Sequence, residues 1–207
     1  MLEIYHAPGT RGFRVVWLCE ELGIPYRIIP VDMAPAYRAS PEWRKLNPVG
    51  KVPVMSDGDL TMFESGAMVQ YVLDKYGSGK LRPAPDADNY GLYLQWFWFA
   101  EATFGRPLGE IVNHRREFKD NPLPDVLEEM KERSRLAARA VDSALSGKEW
   151  ILGSEFSAAD VMLGLTLRSF LKHMGEELPE TLSSYRDRLA ARPAYKAAEA
   201  AETEAAK

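Results

Sequence analysis

The segment from residue 7 to residue 12, Ala-Pro-Gly-Thr-Arg-Gly, has the composition of a turn that exposes backbone N–H groups. A short apolar strand precedes it and an apolar-periodic helix follows it, and the dipole at a helix start favours a negative partner. The candidate partners are a phosphate, a thiolate or only water. Phosphate-binding loops need G-x-x-x-x-G-K-[ST] or G-x-G-x-x-G, and the spacing of Gly9 and Gly12 matches neither pattern. Phosphate is therefore excluded as the partner of this turn.

The Val52-Pro53 pair stands at the start of a predicted strand, where two interpretations fit it. A plain edge-strand proline is tolerated there because proline has no ladder N–H to contribute. A cis peptide bond would instead turn the N–H and C=O of Val52 outward, where an extended peptide could pair with them. The residues alone leave both interpretations open.

The Glu64-Ser65 pair lies between a predicted strand and a predicted helix. Ser65, at or near the N-cap, combines a hydroxyl with the free N–H groups of the helix start, and these groups suit a carboxylate. Glu64 beside it suits an ammonium group, so the pair can recognise the head group of a free amino acid. The alternative is an ordinary N-cap beside a solvated glutamate.

A strand, a helix and a second strand must position the first turn. The sequence LEIY predicts a strand, residues 10–22 predict a helix, and YRIIPV predicts a parallel partner strand, which together make a β-α-β unit. We expect a less regular helix at 36–47. An antiparallel hairpin about Asp57-Gly58 and a helix that stops at Gly77 follow it.

After a linker rich in Gly, Pro and Asp at 78–88, the chain is predicted to be entirely helical. The stretch EFSAADVM predicts a capping box, with Ser157 as the N-cap and Asp160 at the N3 position. Two short helices divided at Pro193 are predicted near the end of the chain. The tail at 197–207 contains good helix formers but little apolar surface, so we expect it to fray.

The aromatic run LYLQWFWFAEATF places apolar side chains on more than one face of its helix. The inward-facing residues belong to a core, and the others can line an apolar pocket or a subunit contact. Trp98, Phe99 and Phe104 are the candidates for this second role.

Charge and the scarcity of metal-ligating residues disfavour several classes of function. A formal net charge of −4 offers no basic stripe for a nucleic-acid backbone. Cys19 is the single cysteine, and the three histidines have no ligand spacing, so we expect no metal site. The sequence shows no basic leader and no long apolar segment, so we expect neither export nor membrane spanning, and one cysteine suits a reducing cytoplasm.

Four motifs in order resemble the cytosolic glutathione transferases: KVP before the hairpin, ESGAMVQYVLDKY after it, a linker near residue 80, and FSAAD in the helical half. The resemblance covers nearly the whole chain. It implies an α/β thioredoxin-like N-terminal domain (residues 1–77), a linker (78–88) and an all-α C-terminal domain (89–207). It also implies glutathione as co-substrate without a metal, a small hydrophobic electrophile as the second substrate, and a homodimer.

The same resemblance implies how glutathione would bind. The proline would be cis, the residue before it would pair with the cysteinyl part, and the Glu-Ser pair would hold the γ-glutamyl end. Two basic residues match, more loosely, the positions that contact the glycyl carboxylate. The glutathione-binding residues implied in this way are Val52, Pro53, Glu64, Ser65, Lys51 and Arg38.

In the family, a tyrosine at the end of the first strand, or a serine or cysteine in the following turn, activates the glutathione thiol. Such a group lowers the thiol pKa from its ordinary value of about 8.5. This chain has Tyr5 and Thr10 at roughly these places, and Thr10 matches the turn hydroxyl better. Arg11 aligns with the cysteine position of one bacterial class, where a guanidinium can stabilise a thiolate by charge.

The activity implied by the resemblance is that of a transferase, which stabilises the glutathione thiolate and directs it at an electrophilic carbon of an apolar substrate. Two alternatives stay open. One is a non-catalytic glutathione-binding or protein-interaction module of the same fold, which a threonine in place of the usual Ser or Cys favours. The other is a specialised glutathione-dependent etherase or dehalogenase, since one or two pocket side chains decide the electrophile.

Overall fold

A four-stranded sheet is the centre of the first structural unit, and the computed structural model describes residues 1–207. The order of its strands is β2-β1-β3-β4. Strands β1 and β2 are parallel, whereas β3 pairs with β1 and with β4 in antiparallel fashion. The predicted β-α-β unit and hairpin are therefore confirmed. The strands are β1 (Leu2–His6), β2 (Tyr26–Pro30), β3 (Val54–Asp57) and β4 (Leu60–Phe63).

Four helices accompany these strands: α1 (Phe13–Leu22), α2 (Pro35–Ala39), α3 (Pro41–Leu46) and α4 (Ser65–Tyr76). Helix α1 is buried from Phe13 to Cys19 and ends at Gly23, whose φ of 66° suits a glycine. The single helix expected at 36–47 is wrong, because it is divided into α2 and α3 at Pro41. Proline has no N–H to continue α2 but fits the first turn of a new helix.

The second unit, Leu81–Leu189, consists of helices, as the sequence predicts. A π-helical segment, Ala100–Phe104, joins the first two, and the Ala100 carbonyl there accepts a hydrogen bond from the Thr166 hydroxyl at 3.0 Å. The fold class of a thioredoxin-like unit plus a helical unit is confirmed. The helices are α5 (Tyr90–Phe99), α6 (Gly105–Glu117), α7 (Pro124–Leu145), α8 (Ala158–Met174) and α9 (Glu180–Ala191).

Helix α8 is the buried centre of the second unit, and Asp160 in its first turn is fully buried. The Asp160 carboxylate accepts hydrogen bonds from the backbone N–H groups of Ser157 (2.8 Å) and Ile151 (2.9 Å). The hydroxyls of Ser157 (2.9 Å) and Tyr185 (2.7 Å) also donate to it. Burial raises the pKa of Asp160, and these donors oppose that rise. The predicted capping box is confirmed, and it also ties the preceding loop and Tyr185 to the helix start.

A further helix, α10 (Pro193–Ala205), begins at Pro193 as predicted, but the expectation that the tail at 197–207 would fray is wrong, because this helix continues to Ala205. Its buried face is Tyr195, Ala198 and Glu202, at helical spacing. The Tyr195 ring packs edge-on against Phe13 at 5.2 Å and against Trp17 at 4.9 Å between ring centroids. Residues Ala190–Lys207 accordingly group with Met1–Lys80 rather than with the helices that precede them in the chain.

Candidate functional site

The β3–β4 hairpin brings two distant dipeptides together. Val54 at the start of β3 pairs with Phe63 at the end of β4. Pro53 and Glu64, the residues just outside this pair, therefore lie side by side. The Val52-Pro53 peptide bond is cis. The pairing of two short strands thus builds the site that the two dipeptides predict separately.

A small cavity of about 140 Å³ lies at this junction. Six of the predicted glutathione-binding and catalytic residues line it, and the loop before β3 and the end of β4 add three more lining residues. The lining includes two cations, Arg11 and Lys51, and the carboxylate of Glu64, so the cavity has charges of both signs to offer a zwitterion. Its lining residues are Arg11, Asn47, Val49, Lys51, Val52, Pro53, Phe63, Glu64 and Ser65.

Ser65 is the first residue of α4, and its side chain is buried. Its hydroxyl oxygen accepts a hydrogen bond from Nη1 of the buried Arg14 at 3.3 Å. Glu64 occupies the N-cap position with φ 78° and ψ 104°, a left-handed conformation that is costly for a residue with a Cβ. The helix start, a buried guanidinium and a hydroxyl together favour an anionic group at this end of the cavity.

Asn47 is a lining residue that the sequence analysis missed. Its side chain is buried, and its Nδ2 donates to the Lys51 carbonyl at 2.8 Å. Its Oδ1 accepts from the Val49 N–H at 3.0 Å. These two bonds close the loop that carries Lys51 to the cavity. The Asn-Pro pair at 47–48 is a turn signal that identifies this role in sequence.

Arg38 and Tyr5 lie outside the cavity lining. The Nε of Arg38, on α2, donates to the Met33 carbonyl at 3.1 Å. The Tyr5 ring packs against Trp43 at 6.2 Å between centroids, in an apolar cluster that also includes Val52. The structure therefore brings Lys51 to the cavity, but neither Arg38 nor Tyr5.

Thr10 is also absent from the cavity lining, because its hydroxyl is directed into its own turn. Oγ1 lies 2.7 Å from the Ala7 carbonyl and 3.1 Å from Nδ1 of His6. The Nε2 of His6 lies 2.8 Å from Oε1 of Glu202, so this nitrogen carries the hydrogen. If His6 is neutral, Thr10 donates to Nδ1 or to Ala7. If His6 is protonated, Thr10 accepts from Nδ1 and donates to Ala7, so the Thr10 hydrogen stays within the turn in both states.

His6 and Glu202 are the other residues that the sequence analysis missed. Both are buried, and Glu202 lies 196 positions from His6 in the chain. The only local signal for Glu202 is its spacing of seven residues from Tyr195 and four from Ala198, which puts it on one helical face with them. The tail has little apolar surface, so its composition does not single out this residue.

The three predicted pocket residues of the helical unit have different surroundings in the structure. Phe99 lines a cavity of about 400 Å³, together with residues of the π-helical segment, α6 and α7. Trp98 is 45% exposed and is not among the lining residues. Phe104 is fully buried and packs against Phe170 at 5.9 Å between ring centroids, because the π-helical turn directs it into the core. Phe99 alone of the three borders this cavity.

The single cysteine lies in the core of α1. The Cys19 side chain is fully buried, and burial raises its pKa to about 12. A thiol in this environment cannot serve as a thiolate nucleophile near neutral pH. The structure also contains no cluster of three or more His, Cys, Asp or Glu side chains placed to hold a metal ion, and none of its helices is long and apolar enough to cross a membrane.

Comparison with known proteins shows which family the first part of the chain matches. The family described as "Glutathione S-transferase, N-terminal domain" matches residues 1–74. Glutathione S-transferase 3 of Schizosaccharomyces pombe is 29% identical over 77% of this chain and 70% of its own length. The disulfide-bond oxidoreductase YfcG of Escherichia coli is 26% identical over 78% of this chain and 76% of its own length.

The fold of the chain is similar to that of a solved glutathione transferase. The glutathione transferase URE2P8 from Phanerochaete chrysosporium, solved with oxidized glutathione, superimposes with a TM-score of 0.82 and 27% identity. That alignment covers 98% of this chain and 95% of the other. The hairpin cavity, the thioredoxin-like sheet, the helical unit and these similarities lead to one conclusion: residues 1–74 belong to the glutathione S-transferase N-terminal domain family, and the chain as a whole has the fold of a glutathione transferase.

Proposed function

We propose that the protein is a glutathione transferase that binds glutathione in the hairpin cavity and stabilises its thiolate. The observation that carries the proposal is the Val54–Phe63 pairing, which places the backbone of Val52 beside Glu64 and Ser65. The α-carboxylate of the γ-glutamyl group suits Ser65 and the N-terminus of α4, and its ammonium suits Glu64. The Val52 backbone can pair with the extended cysteinyl part.

The glycyl carboxylate is assigned to Lys51. Lys51 lies on the cavity wall and is held there by the loop that Asn47 closes. Arg38, the other candidate for this role, is bonded to the Met33 carbonyl and lies outside the lining. The Lys51 cation, the Glu64 carboxylate and the N-terminus of α4 together match the charges of glutathione.

The thiolate is assigned to the side of the cavity formed by Arg11. Of the three candidate activating residues, Arg11 alone lines this cavity. A guanidinium beside a sulfur favours the thiolate by charge, and each unit of lowering in the thiol pKa needs about 1.4 kcal/mol. Thr10 supports the turn instead, since its hydroxyl hydrogen is retained by Ala7 or His6.

The electrophile is assigned to the helical unit, in line with the family resemblance. Phe99 is the predicted pocket residue that borders a cavity there. The homodimer expected from the resemblance belongs to the same proposal. Light scattering that gives twice the chain mass of 23.3 kDa would support it, and a monomer at high protein concentration would contradict it.

A second candidate function is glutathione-dependent disulfide reduction, which the name of the E. coli relative favours. Two glutathione thiols would supply two electrons and become oxidized glutathione, while the substrate disulfide becomes two thiols. The buried Cys19 takes no part in such a reaction, so all the reacting sulfurs belong to glutathione and the substrate. The same thiolate site serves both candidate reactions.

Retention on immobilised glutathione, followed by elution with free glutathione, tests the proposed site. We expect the wild type to be retained and the Ser65→Ala variant to bind less tightly, because one hydrogen bond to the γ-glutamyl carboxylate is lost. Ser56→Ala is the matched control, since Ser56 lies on the same hairpin and its hydroxyl bonds Thr61. Assays with a generic aromatic electrophile and with a small disulfide then separate the two reactions. Failure of the wild type to be retained would reject both.

A further inference from the structure

Glu202 is a buried carboxylate near the C-terminal end of α10. It is 5% exposed, and its Oε1 accepts hydrogen bonds from the Gly9 backbone N–H at 2.7 Å and from His6 Nε2 at 2.8 Å. Burying a carboxylate is costly unless donors satisfy it. Here the two donors belong to β1 and to the turn that follows it. The carboxylate thus reaches from the last helix into the turn that carries Arg11.

His6 extends this contact to the next residue of the turn. Its ring is almost fully buried at the end of β1, and its Nδ1 lies 3.1 Å from the Thr10 hydroxyl. Gly12 lies close to the same ring, because a Cβ at this position would be 2.3 Å from Nδ1. Only glycine permits that approach. The turn from Ala7 to Gly12 is therefore folded closely around the imidazole that Glu202 holds.

Glu202 is not needed to attach α10 to its unit. Tyr195 packs against Phe13 and Trp17, and Arg192 forms two hydrogen bonds to the Glu21 carboxylate at 2.6 and 2.7 Å. These contacts join α10 to α1 about two to three helical turns before Glu202. Glu202 lies further along the helix than these contacts and therefore has another role. The two groups that donate to it, the Gly9 N–H and His6 Nε2, indicate that role.

We propose that Glu202 is a positioning residue for the turn of the thiolate site. It holds Gly9 directly and Thr10 through His6, and so fixes Arg11, which lies between Thr10 and Gly12, at the wall of the hairpin cavity. The catalytic consequence rests on the proposed function, whereas the ordering of the turn does not. On this proposal, the C-terminal helix contributes the residue that orders one turn of the glutathione site.

Two variants distinguish the effect of the length of the Glu202 side chain from the effect of its charge. Glu202→Gln keeps the length and one oxygen acceptor but removes the charge, whereas Glu202→Asp keeps the charge and withdraws the oxygens by one methylene. The proposal predicts that Glu202→Gln preserves the order of the turn. Glu202→Asp, and a third variant, Glu202→Ala, should release it. A role in neutralising a buried charge predicts the reverse order. Glu204→Ala, an exposed residue of α10 that bonds Lys207, is the matched control.

The first readout is amide hydrogen exchange of Gly9, measured by NMR on the full chain without ligand. We expect exchange to accelerate by about tenfold or more in Glu202→Asp and Glu202→Ala, and to remain near the wild-type rate in Glu202→Gln and Glu204→Ala. Ala200→Gly, which weakens α10 at an exposed position, should also leave it unchanged. If Glu202→Ala does not fold, the contrast between Asp and Gln decides the question.

The second readout is turnover with glutathione and a generic electrophile. Misplacement of Arg11 should lower kcat by about tenfold to a hundredfold in Glu202→Asp, with a smaller change in KM for glutathione, and Glu202→Gln should restore it. Wild-type protection of Gly9 in Glu202→Asp, or an equal loss of protection in Ala200→Gly, would overturn the proposal. A wild-type chain that does not bind glutathione would defeat the proposed function, while the exchange of Gly9 would still decide the role of Glu202.

Discussion

At the scale of single residues, the sequence and the structure favour different candidates for the thiol-activating group. The sequence favours the Thr10 hydroxyl, since hydroxyl residues occupy this turn in related proteins. In the structure that hydroxyl is bonded to Ala7 and His6, and Arg11 lines the cavity instead. One of these two partners, His6, is held by Glu202, a residue 192 positions beyond Thr10 in the chain, so sequence reasoning could not foresee that contact.

The set of variants Arg11→Ala, Thr10→Ala and Tyr5→Phe tests the assignment of the thiolate. We expect Arg11→Ala to lower kcat/KM by about a hundredfold or more, as for loss of one charged transition-state contact. Thr10→Ala should have a smaller effect, because it removes a support of the turn, and Tyr5→Phe should have little. The measurement is steady-state turnover of a generic electrophile at saturating glutathione. Equal activity in all three variants would contradict the account of thiol activation.

At the scale of secondary-structure elements, the sequence predicts the βαβ unit, the hairpin and the capping box, because each rests on local periodicity and turn chemistry. The division of the helix at 36–47 was signalled by Pro41 and was missed. The ordering of α10 depends on partners in α1 and β1, which local composition does not reveal. The π-helical segment, which turns Phe104 into the core and leaves Phe99 beside a cavity, has no comparable local signal.

The hairpin that borders the proposed glutathione site is joined to α4 by Asp57. Its carboxylate accepts hydrogen bonds from Lys75 Nζ (2.6 Å) and from the hydroxyls of Tyr76 (2.6 Å) and Tyr71 (2.8 Å). The bonds from Lys75 and then Tyr76 lower the pKa of Asp57 to about 2. Since this pKa is below the ordinary value of about 3.9, the stabilisation is present above about pH 4 and is lost as the pH falls towards 2.

Asp57→Asn should therefore lower the unfolding temperature at pH 6, and its difference from the wild type should shrink as the pH falls from about 4 to 2. Thermal unfolding at a series of pH values measures this. Asp59→Asn, an exposed neighbour in the same turn, is the control. A difference between Asp57→Asn and the wild type that stays constant from pH 6 to pH 2 would refute this role of the carboxylate.

The capping box of α8 gives a stability prediction for the helical unit. Ser157→Ala should lower the free energy of unfolding by about 1 kcal/mol, because it removes one donor to Asp160. Asp160→Ala should cost about 3 kcal/mol or more, because it leaves the N–H groups of Ile151 and Ser157 and the Tyr185 hydroxyl without their acceptor. Urea denaturation measures both, with the exposed Ser154→Ala as the control. Equal losses for Ser157→Ala and Asp160→Ala would contradict the network.

At the scale of the whole molecule, the sequence predicts the fold class and most of one wall of the site. The motifs KVP and ESG lie on either side of one hairpin, so their proximity follows from local pairing alone. The rest of the site depends on residues from outside the hairpin. These are Asn47 from the loop before it, Arg14 from α1 and Glu202 from the last helix. Asn47 is signalled by its Asn-Pro turn, whereas the contacts of Arg14 and Glu202 join separate elements and no local pattern specifies them.

The central claim is that the protein stabilises the thiolate of bound glutathione, and ultraviolet titration of the wild-type complex tests it most directly. Thiolate absorbance is followed from about pH 5 to pH 10 with the protein saturated by glutathione, and the same titration is run on free glutathione and on the Arg11→Ala complex. The account predicts that the bound thiol ionises at least about one pKa unit below the free thiol, and that most of this shift disappears in Arg11→Ala. A bound thiol that titrates with the pKa of free glutathione would contradict the account.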